Sequence, residues 1–198
     1  VLTLWSSTQI PHYVHRALAR VLEMPAHRIR VIQPHLGGAF GGKSDPFWFE
    51  FCAGKLAMKT GRPVKFLLNR EETFYTHRGR HPMQMHFKTG CDADGKVTAV
   101  DSKILIDGGS YSSFGLVTTY YSGQLLCGPV HFPNYRFDST RVFTNKPPCG
   151  PKRGHGSVQP RFAMEIQLDR LAAKLGMDPI AFRRRNFQGA YVETVTGM

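Results

Sequence analysis

The sequence predicts an α+β fold of mixed, largely antiparallel sheets with helices packed on them. Three observations carry this reading. Apolar residues make up 41% and charged residues 20% of the 198 positions, which is enough to bury a core and too hydrophobic for a disordered tail. Apolar positions recur at helical spacing from Pro11 to Leu22, whereas Met83 to Asp107 reads as two strands around an Asp94-Gly95 turn. Strand and helix patterns do not alternate regularly, as a wound parallel sheet would require.

The elements follow in order. VLTLWSSTQ, from Val1 to Gln9, reads as an opening strand. Pro11 can start a helix with Val14, Leu18 and Val21/Leu22 on one face, and Pro25 ends it. RIRVIQ is a short strand. After the glycine-rich stretch PHLGGAFGGKS, a helix is expected from a Ser44 cap, with Pro46 in its first turn, to a stop at Gly61. PVKFLLN reads as a further strand, and Met83 to Asp107 as an antiparallel hairpin. Beyond Ser110 a short helix ends before Gly128-Pro129, and NYRFDSTRVFTN alternates as a strand. The loop KPPCGPKRGHGS is too rich in glycine and proline for regular structure. An amphipathic helix then carries Phe162, Ile166, Leu171 and Leu175 as its apolar stripe and stops at Gly176. Asp178 and Pro179 open a last helix, DPIAFRRRNF, as cap and first-turn proline.

Lys and Arg exceed Asp and Glu by a formal charge of +12, so an anionic partner or neighbour is expected. A nucleic-acid-binding module is one reading, but the basic residues are spread along the chain rather than gathered in one arm or stripe. A phosphate-bearing cofactor, an anionic substrate or acidic neighbouring subunits satisfy the charge equally well. Cys52, Cys91, Cys127 and Cys149 are widely spaced, without zinc-ligand or disulfide patterning, and read as free thiols of a reducing, cytoplasmic setting. Cys149, in the Gly/Pro loop, is the one expected to be exposed near a site. No apolar run approaches the ~20 residues that span a bilayer, and no secretion signal opens the chain. Because it begins at Val1 rather than methionine, the chain reads as a piece of a longer protein.

Two loops concentrate chemistry. GGAFGGKS, Gly37 to Ser44, spells the P-loop pattern between a predicted strand and a predicted helix, and Asp107 at the end of ILID imitates the aspartate that holds magnesium. A nucleotide hydrolase is therefore an alternative. The strand before the loop argues against it, since RIRVIQPH alternates arginine with aliphatic residues and breaks at Pro34. Phe40 among glycines sets an aromatic wall beside free backbone donors, suited to an oxyanion or a metal oxo group. The second loop supplies Lys152, Arg153 and His155. Glu50 and Glu165 read as helix-surface or packing residues.

Ordered blocks extend the pattern: SSTQ at Ser6–Gln9, GGAFGGK at Gly37–Lys43, TGRPVK at Thr60–Lys65, RHP at Arg80–Pro82, DGG at Asp107–Gly109 and PKRGHG at Pro151–Gly156, followed by a helix containing Glu165. In this order they resemble the large molybdopterin-binding subunit of molybdenum hydroxylases of the xanthine dehydrogenase and aldehyde oxidase type. The resemblance covers nearly the whole chain and implies that residues 1–198 are a partial molybdopterin-binding domain, without the N- and C-terminal portions of the subunit. It implies that Gln9 bonds the apical oxo ligand of the molybdenum, and that Gly38, Phe40, Gly41 and Gly42 line the cofactor. Arg153 is implied as the substrate-side catalytic arginine, whose forked donors can stabilise charge developing on a ring. Ser44 stands where purine-oxidising members carry glutamate, and His155 replaces a phenylalanine; both are implied as substrate contacts, and a purine is not the expected substrate. No side chain is expected to ligate the metal directly. The cofactor is expected in its cytosine dinucleotide form, with [2Fe-2S] and FAD centres on partner subunits. Within the family, PPCGPKRGHGSVQPRF most resembles 4-hydroxybenzoyl-CoA reductase and its relatives. The implied reaction is therefore hydroxylation or reductive dehydroxylation of an aromatic or heteroaromatic substrate, with the base glutamate supplied from outside this chain.

Overall fold

The computed structural model describes residues 1–128 and 130–187 of the chain. Two compact units are present. The first comprises Val1–Arg80 with Gly150–Arg153, and the second comprises, of the described residues, those of 81–149 and 154–187.

In the first unit, strand β1 (Leu2–Trp5) pairs in parallel with β2 (Ile29–Ile32), and helix α1 (Pro11–Val21) makes the crossover between them. Pro11 sits at the helix start, where its missing N–H costs nothing. Val14, Leu18 and Leu22 are buried against Leu2 and Ile29, whereas Val21 faces outward. Helix α2 (Trp48–Thr60) packs on the same core. Gly54 permits the approach, because a β-carbon there would stand 3.0 Å from Leu22 and 3.3 Å from Leu2. Gly61 ends α2 in the left-handed conformation, as expected.

The start of α2 differs from the expectation. The helix begins at Trp48, so Ser44 is not its cap. The buried Glu50 carboxylate instead accepts the Phe47 N–H at 2.7 Å and the Ser6 hydroxyl, fastening the end of β1 to the helix entrance. Burial raises the Glu50 pKa above its ordinary value, against the opposing pull of those two donors. The packing reading of Glu50 fits this placement.

Pro63–Asn69 is not a strand. The segment has no regular structure and lies in no ladder, and Phe66 and Leu67 are exposed. A short helix, α3 (Arg70–Thr76), follows. Asn69 Oδ1 accepts the Glu72 N–H at 2.9 Å while Glu72 Oε2 accepts the Asn69 N–H at 2.7 Å, a reciprocal capping box.

In the second unit, β3 (Met83–Cys91) and β4 (Val97–Asp107) form the expected antiparallel hairpin, with Gly95 at φ +80° in the turn. Strand β5 (Tyr135–Val142) joins β4 in parallel, with helix α4 (Gly115–Gln124) in the crossover. The α+β class therefore holds, but the largely antiparallel pairing does not. Of the three pairings among the described strands, two are parallel, because each closes across a helix rather than a tight turn. Pro129, at the boundary expected after α4, lies outside the described residues.

Helices α5 (Val158–Lys174) and α6 (Pro179–Asn186) cover the sheet. The buried face of α5 is Pro160, Met164, Leu168 and Ala172 at strict i, i+4 spacing. The expected stripe is corrected: Phe162 is 65% exposed and Ile166 is only partly buried, while Leu171 and Leu175 flank the core. Asp178 caps α6 by accepting the Ile180 and Ala181 N–H groups, as expected. Asn186 bonds the Val97 N–H and the Gly95 carbonyl, tying α6 to the hairpin.

Asp107, the aspartate of the P-loop alternative, has a structural role. Its carboxylate accepts from Lys146 Nζ at 2.6 Å, Thr144 Oγ1 at 2.6 Å and the Gly109 N–H at 3.0 Å, and these donors hold its pKa far below the ordinary range. Cys149 is buried rather than exposed, and burial pushes its thiol pKa up. None of the four cysteines lies in a disulfide. Among the described residues no helix is long and apolar enough to cross a membrane.

Candidate functional site

The first unit brings four segments of the chain together: the end of β1, the glycine loop, the residues after α3, and Gly150–Arg153. Gln9 is the hub. Its backbone N–H donates to the Lys43 carbonyl at 2.9 Å. Its side-chain oxygen accepts three donors: the Gly41 N–H at 3.1 Å, the Lys43 N–H at 3.2 Å and the Ser44 hydroxyl at 3.0 Å. Two of these donors are backbone amides, so the oxygen end of the amide must face the loop. The Nε2 donors of Gln9 consequently point away from it, on an exposed residue.

This geometry sets aside the P-loop reading. The loop amides that would cradle a phosphate converge on a glutamine oxygen, and Lys43 Nζ donates to Ser7 Oγ at 2.7 Å. Helix α2 begins only at Trp48, so its N-terminus does not follow directly on the loop.

The loop is backbone-strained where it carries its aromatic wall. Phe40 has φ +51°, a conformation that costs a bulky residue about 1–3 kcal/mol, and its ring is 67% exposed. Gly38 (φ +143°) lies under that ring. Gly41 (φ +88°) has no room for a side chain, because a β-carbon there would stand 3.0 Å from the Pro151 carbonyl. At Gly42 the same atom would press on the His77 imidazole at 2.8 Å.

Gly150–Arg153 returns to this loop from far along the chain. The Gly150 N–H donates to the Gly79 carbonyl at 3.0 Å, and Arg80 Nη2 donates to the Arg153 carbonyl at 2.7 Å. The Arg153 guanidinium stands over the Phe40 ring, 5.7 Å from its centroid, in cation–π contact. The sequence-predicted residues Gln9, Gly38, Phe40, Gly41, Gly42, Ser44 and Arg153 thus belong to one loop cluster. Ser44 is placed on Gln9, which it helps to orient.

His155 belongs to the second unit. Its Nε2 lies 2.6 Å from Thr118 Oγ1 and 3.2 Å from the Phe114 carbonyl, which pins the ring to α4, and it stands nearly perpendicular to the His81 ring, 5.8 Å between centroids. Gly156 (φ +79°) packs against the Thr118 backbone, where a β-carbon would lie 2.7 Å from the carbonyl oxygen.

Beyond the RHP block that contains Arg80, sequence reasoning put no separate weight on His77 and Arg78. The signal was the basic run HRGRH, from His77 to His81, which is ambiguous until Gly150–Arg153 is seen beside it. Among the described residues no group of three or more His, Cys, Asp or Glu side chains could hold a metal ion. The donor set suits a metal that arrives bound to its own organic ligand: outward amide donors, an aromatic wall and glycines that leave close approach to backbone.

The molybdopterin cofactor-binding domain family matches residues 1–187. The chain is 40% identical over 197 residues to the nicotinate dehydrogenase large molybdopterin subunit of Eubacterium barkeri, covering 100% of this chain and 46% of that relative. The aldehyde oxidoreductase of Desulfovibrio gigas superposes with a TM-score of 0.90 at 31% identity, over 99% of this chain and 22% of that one. The quinoline 2-oxidoreductase of Pseudomonas putida 86 does so with a TM-score of 0.84 at 33% identity, over 93% of this chain and 24% of that one. The chain spans 25% and 46% of the lengths of the first two curated relatives.

Proposed function

Because the chain belongs to the molybdopterin cofactor-binding domain family, of the xanthine dehydrogenase and aldehyde oxidase type, we propose that it is part of the large subunit of a molybdenum-dependent oxidoreductase acting on an aromatic or heteroaromatic carbon. The observation that carries this is the meeting of Gln9, Phe40 and Arg153 in one cluster. When bound, the molybdenum cofactor supplies two-electron redox chemistry at the substrate carbon.

The chain's own residues do the rest. Gln9, clamped through its oxygen, presents Nε2–H as a preorganised donor to an oxygen atom of the cofactor; a donor fixed in advance costs no reorganisation when charge develops. Phe40 and Gly41 form the wall and the floor of the approach. Arg153 directs guanidinium donors at negative charge building up on the substrate ring. Ser44 bears on the site through Gln9. His155 is proposed as a substrate contact on the resemblance of its loop, supported by its fixation on Thr118.

The ring-hydroxylating reading is supported by likeness to nicotinate dehydrogenase and quinoline 2-oxidoreductase. A second reading, reductive dehydroxylation of an aromatic thioester such as 4-hydroxybenzoyl-CoA, is favoured by the PPCGPKRGHG form of the second loop with its lysine at 152. Iron–sulfur and FAD partner subunits, a cytosine dinucleotide form of the cofactor and a cytoplasmic setting belong to the same proposal.

Metal and pterin analysis of the purified full-length assembly tests it. Molybdenum and a pterin dinucleotide in stoichiometric amounts are expected, and active protein containing neither would overturn the assignment. A substrate panel of N-heteroaromatics and aromatic CoA thioesters then separates the two readings.

A further inference from the structure

A cavity of about 400 Å³ in the first unit enters the function argued above only through Lys152. Arg70, Thr73, Phe74, His77, Arg78, Gly79 and Lys152 line it. Its titratable lining consists of two guanidiniums, an ammonium and an imidazole, and no carboxylate. Asp45, outside the lining, pairs with Arg78 Nε at 3.0 Å, while Arg78 Nη1 is buried without a hydrogen-bond partner among the described residues. Lys152 Nζ lies 2.9 Å from His77 Nδ1, a nitrogen also 3.0 Å from the Arg78 carbonyl. The imidazole brings that ammonium no counter-charge.

Gathering like charges round one cavity is unfavourable unless an anion joins them. Burial, and then the nearby Arg80 charge, pull the Lys152 pKa below its ordinary value. Guanidiniums present forked N–H donors that match the oxygens of a phosphate, and lysine adds a point charge. Phe74, 77% exposed on the same lining, offers a flat apolar face beside them.

We infer that this cavity is a binding site for the phosphate or pyrophosphate group of a ligand, held by Arg70, Arg78 and Lys152. Such a group can be brought by a nucleotide-bearing cofactor or by a phosphorylated substrate such as a CoA thioester.

The test is calorimetric titration of the full-length protein with inorganic pyrophosphate, in cofactor-loaded and cofactor-stripped forms. Saturable binding is expected, weakened at least tenfold in Lys152→Met and in Arg70→Met, retained in Lys152→Arg, and falling as salt rises. Binding to the stripped form alone assigns the site to the cofactor, whereas binding to both forms assigns it to the substrate. No saturable binding in either form, or equal affinity in wild type, Lys152→Met and Arg70→Met, would overturn the inference. Arg70 is solvent-exposed, so its variant tests the site even if Lys152→Met fails to fold. Molybdenum analysis is independent of this titration, so failure of either reading is recognised separately.

Discussion

Replacing Gln9 by glutamate separates the two ends of its amide. A carboxylate oxygen at that place still accepts from the Gly41 and Lys43 N–H groups and from the Ser44 hydroxyl, now at 3.1, 3.2 and 3.0 Å. Charge-assisted bonds are about twice as strong as neutral ones, so the loop is held at least as firmly. What vanishes is the outward N–H. Removing one preorganised donor from a site of developing charge costs about 10²–10³-fold in turnover, or about 2.7–4 kcal/mol, and the added negative charge acts in the same direction. Gln9→Leu gives the contrast. It strips the acceptor from all three donors, and because the loop is exposed, water replaces it, so destabilisation is about 1–2 kcal/mol in total. In full-length enzyme, turnover is measured per bound molybdenum, alongside the metal-to-protein ratio. Gln9→Glu is expected to keep its metal and lose turnover, and Gln9→Leu to lose part of both. Wild-type turnover per molybdenum in Gln9→Glu would refute the assignment of Nε2 as the working donor.

Arg153→Ala is expected to lower turnover by about 10²-fold while molybdenum content changes little; equal losses of both would make the arginine a packing residue. Gly41→Ala forces a β-carbon onto the Pro151 carbonyl at positive φ, and about 1–3 kcal/mol of strain should appear as a lower metal-to-protein ratio after dialysis. Acid sensitivity follows from Asp107, whose folded pKa lies below the ordinary value of 3.8. Its contribution is fully present above that value and is lost as pH falls beneath it. Protection of the β4–β5 ladder against hydrogen exchange, corrected for the intrinsic exchange rate at each pH, should therefore fall on acidification in the wild type and change less in Asp107→Asn.

Local chemistry was legible in the sequence. Gly61, Asp94-Gly95 and Asp178-Pro179 each act within a few residues, and each lies where its turn or cap was expected. The loop cluster was legible only through resemblance, since the ordered blocks match a family whose loops share one cofactor, and Phe40 and Arg153 do meet. What escaped depends on partners distant in sequence. Alternation in NYRFDSTRVF marks a strand without saying whether its neighbour runs parallel. PVKFLLN has strand composition but finds no ladder, and its apolar run drew attention from the Asn69–Glu72 capping box beside it. On α5, Phe162 outweighed smaller residues by hydrophobicity, yet Met164, Leu168 and Ala172 fit the available space. GGAFGGKS misled because glycine spacing encodes a tight turn with inward amides, and only Gln9 discloses what those amides hold.

The strap from Gly150 to Arg153 has a temporal consequence. Ribosomal synthesis delivers Gln9 and Phe40 early, but the guanidinium that stacks on Phe40 emerges only after the whole β3–β5 sheet has been made. Closing so long a loop is entropically slow. A newly made chain therefore possesses the aromatic wall without its cationic lid, and a prosthetic group can be gripped from both sides only after translation has passed the strap. Completion of this cluster accordingly waits for the strap, and truncations upstream of Gly150 are expected to retain less molybdenum than the full-length protein, as metal-to-protein ratios would show.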